Sequence, residues 1–178
     1  MELYVLIGIS LIVVTVIFFI TIFNYRNKYV IYDIKLDSSS NELDVLYVTK
    51  KQLITSIVSR VGEVVDKELV PNIDEVVSED LSRFELSKIL NDMESKLLEE
   101  MTLRRAFVPD EELAGLFTSL EDISIDCTSV EQYYNDNASY FNKLLKKFPS
   151  NIVGKFKRHD VKEMYDYEKE EMFEILKD

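Results

Sequence analysis

The sequence predicts an all-α protein, with one N-terminal transmembrane helix followed by an antiparallel bundle of three to four helices. Three observations carry that expectation: an uncharged apolar run at the N-terminus, apolar residues recurring at spacings of three and four through most of the remainder, and a scarcity of turn residues. Four glycines and three prolines are too few for the tight turns of a β-sandwich or the glycine loops of a nucleotide-binding α/β fold.

The first element runs from Leu3 to Phe23 and reads LYVLIGISLIVVTVIFFITIF, with no charged side chain. At about 1.5 Å per residue it covers roughly 30 Å, the thickness of a bilayer hydrocarbon core. A cleaved signal peptide would need a positive n-region, a shorter apolar stretch and a small-residue cleavage site. Here Glu2 is the only charged side chain before the run, and Asn24, Tyr25 and Arg26 follow directly, so the segment reads as a retained single-pass anchor. Arg26, Lys28 and Lys35 follow it and no Lys or Arg precedes it, which predicts a cell-membrane protein with its N-terminus outside and its C-terminal domain cytoplasmic. Tyr4 at one end and Tyr25, Tyr29 and Tyr32 at the other suit interfacial anchoring, and equally suit helix packing.

Residues 24–42 form a charged, aromatic juxtamembrane segment in which Ser39 and Glu42 have capping-box spacing. The membrane helix either ends near Leu36 or continues through the serines. Residues 43–154 read as one helical bundle. Leu43, Leu46, Tyr47, Leu53, Ile54, Ile57, Val61, Val64 and Val65 mark one face of a helix that should stop near Pro71. Asp74 to Asp80 forms a short acidic helix or a loop. Leu86, Leu90, Met93, Leu97 and Met101 mark the next helix, ending before Pro109. The strongest periodicity follows, from Leu113 through Leu116, Phe117, Leu120, Ile123, Cys127, Val130, Tyr134, Ala138, Phe141 and Leu145 to Phe148, and predicts one long, coiled-coil-like helix stopped by Pro149. Residues 155–178 are a basic-then-acidic tail that repeats the rhythm weakly. Each helix has one apolar face, so each must bury it against the others.

The net charge of −12 argues against nucleic-acid binding, which relies on Lys and Arg neutralising phosphates. No Walker loop, G-x-G-x-x-G, H-E-x-x-H or G-x-S-x-G occurs, so no catalytic residue, metal site or cofactor is expected and the chain reads as non-enzymatic. The single Cys127 reads as a small buried hydrophobe and the single His159 as a surface residue without a second ligand. Acidic pairs such as Glu99–Glu100 and Glu111–Glu112 read as solvated faces. Lys143, Lys146, Lys147, Lys155, Lys157 and Arg158 form a basic segment with no acid among them. These residues either complement the negative end of the long helix and face solvent, or contact anionic lipid headgroups or an acidic partner.

The segment YYNDNASYFNKLLKKFPSNIVG, residues 133–154, resembles the C-terminal signature of the bacterial LemA family, in which two Tyr-Asn pairs seven residues apart precede Phe-Pro-Ser-Asn. Tyr134 and Asn135 match the first pair, Phe141 and Asn142 the second with Phe replacing Tyr, and Phe148, Pro149, Ser150 and Asn151 the last motif. Residues 43–58 are similar to the family's first cytoplasmic helix through Leu43, Asp44, Val45, Lys50, Leu53, Ile54 and Val58. The chain departs from the family where Thr55 and Ser56 replace Pro and Asn, and where Ser124 and Glu131 replace a Glu and an Arg of the long helix. The resemblance implies a divergent member: a single-pass protein with a cytoplasmic bundle, no established catalysis, and scaffold or adaptor work at the membrane, with a membrane protease among its possible partners. The rival reading is a receptor or enzyme with a small-molecule or metal site inside the bundle. Tyr134, Phe141 and Phe148 are seven apart, so the motif also has a packing role, with Asn135 and Asn142 free to bond a neighbouring helix. An even number of bundle helices returns the basic segment towards Arg26 and Lys28, and an odd number points it away. Four is the expectation, because the resemblance implies about that many and because Lys and Arg gain about 1 kcal/mol each beside an anionic leaflet.

Overall fold

The structure, a computed structural model, describes residues 2–61, 81–103 and 111–165. These form four helices, α1 (Glu2–Val61), α2 (Arg83–Leu103), α3 (Glu111–Lys146) and α4 (Ser150–Phe156), with no strand among the described residues. The predicted stop near Pro71, the acidic stretch Asp74 to Asp80 and the tail beyond Tyr165 lie outside them. Val161 to Tyr165, the start of the weak rhythm in the tail, is not helical.

α1 continues through the serines, so the segment 24–42 is not a break and Ser39 is not a cap. The reason lies in its seam. Tyr29, Leu36, Leu43, Lys50 and Ile57 recur every seven residues, Tyr47, Ile54 and Val61 interleave with them, and all eight are buried. Ser39 falls within this buried stripe at 2% exposure, and one serine in a helix interior costs only a few tenths of a kcal/mol (~0.5). A capping box does occur, at the start of α2. The Ser82 backbone N–H donates to Glu85 Oε2 over 2.9 Å, while the Glu85 backbone N–H donates back to Ser82 Oγ over 3.3 Å. The Ser82 backbone N–H and, over 2.8 Å, its hydroxyl both donate to Glu85 Oε2 and hold that carboxyl below the usual carboxylate range.

The described chain divides into two compact units, Met1–Ser38 with Tyr134–Met164, and Ser39–Tyr133 with Tyr165–Asp178. The division falls inside α1 and α3 rather than at the sequence boundary of residue 43. In the second unit, Asp44 pairs with Arg83 and Lys50 with Asn91 and Glu94, so α1 and α2 run parallel. Tyr47 meets Glu131 and Arg60 meets Glu112, so α3 runs antiparallel to α1. Ser87 with Glu131 and Ser124 with Glu94 give the same sense for α3 against α2.

In the first unit, α3 also runs antiparallel to α1. Tyr29 packs edge-on against Phe141, with ring centroids 5.3 Å apart, and Tyr32 stacks on Tyr140 at 6.0 Å. The Tyr29 hydroxyl donates to the Ser150 carbonyl over 3.2 Å, tying α4 to α1. Gly154 makes that approach possible, since a Cβ there would lie 2.7 Å from both Leu145 Cδ2 and the Tyr29 hydroxyl. α4 ends in a Schellman arrangement. The His159 N–H donates to the Gly154 carbonyl, the Arg158 N–H donates to the Lys155 carbonyl, and Arg158 has a φ of 54°.

Candidate functional site

Two clusters bear chemistry, one in each unit. The second unit holds a ladder of buried polar side chains. Lys50, 1% exposed, sits where the α1 seam demands an inward residue. Its ammonium donates to Asn91 Oδ1 and pairs with Glu94 Oε2, both at 2.7 Å, and the Ser124 hydroxyl lies 2.8 Å from both Glu94 oxygens. A buried ammonium without such partners would be strongly disfavoured. Glu131, also inward on the α3 seam, accepts hydrogen bonds at Oε1 from the Tyr47 hydroxyl at 2.5 Å and the Ser87 hydroxyl at 2.6 Å. Burial and the adjoining Glu131 carboxyl push the Tyr47 phenol well above its ordinary range. Cys127, 3% exposed, lies on the same seam, and burial pushes its thiol up to about 11, leaving it a neutral packing group. Lys50, Glu94 and Ser124 are bonded in one group and Tyr47, Ser87 and Glu131 in another, with Asn91 joining the first from the exposed side of α2.

The first unit holds the basic, aromatic end. α4 packs beside the C-terminal part of the apolar run of α1, where Phe18, Thr21, Ile22 and Tyr25 adjoin Pro149, Ile152 and Val153. A groove of about 320 Å³ follows, lined by Ile22, Arg26, Ile152, Val153, Phe156 and Lys157. Phe156, which lines it, is 85% exposed, and Phe148, in the turn before α4, is 79% exposed. Lys143, Lys146, Lys147, Lys155, Lys157 and Arg158 are all exposed. Of these six, Lys157 lines the same groove as Arg26, while Lys143 and Lys146 occupy the last turn of α3, where cations complement the helix dipole.

The motif residues have structural work in this unit. Tyr134 and Phe141 are buried, as the seven-residue spacing predicts. Phe148 departs from that series because α3 ends at Lys146, which releases its ring to the surface. Asn142 does not reach a neighbouring helix. Its amide clamps the backbone of Lys162, donating to the carbonyl and accepting from the N–H, both at 2.8 Å. Asn135 is half-buried. Pro149 precedes α4, and the Ser150 hydroxyl lies 2.7 Å from the Leu144 and Lys147 carbonyl oxygens, closing the end of α3. The Asn151 N–H donates to the Lys147 carbonyl over 2.8 Å. His159 is not a free surface residue. Its ring stacks on Tyr29 at 4.8 Å and its Nδ1 lies 3.7 Å from Asp33, whose carboxylate also pairs with Lys162 at 3.1 Å.

Sequence reasoning missed the ladder. Lys50, Glu131 and Ser124 register there only as matches to or departures from a family pattern, although a charged residue occupying a seam position on each of two helices is itself the mark of a buried polar contact. Among the described residues no group of three His, Cys, Asp or Glu side chains could hold a metal ion. In class, the described residues are those of an all-helical protein, and among them one helix is apolar enough over its N-terminal part to cross a membrane. Compared with known proteins, the chain matches no family model, no curated protein and no solved structure.

Proposed function

We propose that the chain is a single-pass membrane protein of LemA type, with its N-terminus outside and its helical part cytoplasmic, that works as a non-enzymatic scaffold or adaptor at the inner face. One observation carries this reading: the exposed large apolar side chains are concentrated in the N-terminal part of α1, while the buried charged side chains of the second unit are bonded to neighbouring side chains. From Leu3 to Phe23 the large apolar side chains stand outward, as a lipid-facing helix requires. The buried polar side chains of the second unit are bonded to each other rather than to the lining of a cavity. A receptor or enzyme would keep some of them convergent on an open site.

Affinity capture of the full chain from detergent-solubilised membranes tests it. The expected outcome is one membrane-associated partner, such as a membrane protease, recovered reproducibly and in near-stoichiometric amount. A metal or metabolite held stoichiometrically by the purified chain would overturn the scaffold in favour of a bundle-interior site.

A further inference from the structure

We infer that the groove between α4 and the end of the apolar run seats an anionic phospholipid, with its headgroup phosphate between Arg26 and Lys157 and an acyl chain along Ile22 and Ile152. The inference rests on the reading that α1 spans the membrane, and it names what the cytoplasmic end of that span binds.

Three observations lead to this occupant. The groove is continuous with the span: Ile22 belongs to the apolar run and is one wall, while Ile152, Val153 and Phe156 of α4 supply the other. Its depth is therefore that of the headgroup boundary, since the run ends at Phe23 and Arg26 lies one turn beyond. Next, two of the apolar side chains that line it are exposed. Phe156 follows Ile152 by four residues on α4, so both share a face, and that face stands open at 85% and 45% exposure. Phe148, in the turn before α4, adds a ring at 79%. Aromatic and aliphatic side chains flanked by Lys and Arg are the composition of an interfacial helix. Finally, the charge has one sign. Arg26 and Lys157 form no salt bridge among the described residues, and Asp33, one heptad beyond Arg26 on α1, is paired with Lys162. An anionic lipid supplies at one place the counter-charge and the hydrocarbon that this groove lacks. An acidic protein segment would meet the charge but leave Phe148 and Phe156 in water or against headgroups.

The chain contains no tryptophan, so Phe156→Trp introduces a single reporter in the groove. The full chain carrying it is reconstituted into phosphatidylcholine vesicles containing equal fractions of acyl-brominated phosphatidylglycerol or acyl-brominated phosphatidylcholine. Quenching should report a preference for the anionic lipid of roughly fivefold or more, falling with salt, because one basic side chain near a negative surface contributes about that factor. Arg26→Gln with Lys157→Gln should bring the preference to near one. Both positions are exposed, and unchanged helicity by circular dichroism verifies the fold. Ile12→Trp in a separate chain monitors the span itself. Quenching of this span reporter with no quenching of the groove reporter would overturn the lipid seat alone and favour a protein occupant. Equal quenching of the groove reporter by both lipids would overturn the anionic preference, and an unquenched span reporter would overturn the anchor and the seat together.

Discussion

The two units treat charge in opposite ways. In the second, Lys50 and Glu131 are buried and fully partnered, whereas in the first Arg26, Lys155, Lys157 and Arg158 stand exposed among open aromatic rings. A buried charge is tolerable only with its partners in place, so the ladder constrains which helices may face each other and in what register. The exposed cations order nothing and contribute little to folding. They remain available to another molecule. The difference teaches that buried paired charge and exposed unpaired charge lie on different stretches of the chain.

The largest effect should come from breaking the ladder. Lys50→Ala leaves the largely buried Glu94 carboxylate without its cation, and a loss of ~3–5 kcal/mol is expected for one partner of a buried pair. Denaturant melts of the full chain in mild detergent measure it, and Lys50→Met combined with Glu94→Met should recover much of the loss. Gly154→Ala comes next. Its Cβ would meet Leu145 and the Tyr29 hydroxyl at 2.7 Å, costing ~1–3 kcal/mol. Hydrogen exchange should rise in α4 while the amides of α2 stay protected, which separates the units experimentally. Tyr47→Phe removes one donor from Glu131 and should cost ~1–2 kcal/mol. It should also change the alkaline limb of stability. The folded-state value of the Tyr47 phenol is raised, so its contribution is complete below the ordinary tyrosine value of 10.0 and is lost as pH climbs above it. The Phe variant should lack that part of the decline. The smallest effect runs the other way. Arg158 holds a left-handed φ of 54°, so Arg158→Gly should stabilise the end of α4 by up to ~1 kcal/mol, seen as slower exchange of the His159 amide.

Periodicity carried the helices. Leu113, Leu120, Cys127, Tyr134 and Phe141 are seven apart and all buried, because a seam is a property of spacing and survives changes of residue type. What spacing cannot report is where a seam stops: Phe148 continues the count but follows the end of α3. The two S-x-x-E patterns show a related limit. Ser39 and Ser82 look alike in sequence, but Ser39 lies on a buried seam and stays helical, whereas Ser82 precedes its helix and caps it. Lys50 and Glu131 were legible only as family positions, since a seam charge has meaning through its partner on another helix. The apolar N-terminal run of α1 was legible as composition. The groove required α4 to fold back on the span, which depends on Gly154 and on the Tyr29 bond to Ser150.

The central claim is that an outside N-terminus and a cytoplasmic bundle are joined by one span, and thiol labelling of intact cells tests it most directly. Cys127 is the single native thiol and is buried, so a membrane-impermeant maleimide should ignore it until denaturant is added, leaving introduced cysteines as clean reporters. Glu2→Cys should label in intact cells, and Asp178→Cys should label only after permeabilisation. Labelling of Asp178→Cys in intact cells with Glu2→Cys protected would invert the topology and contradict the account.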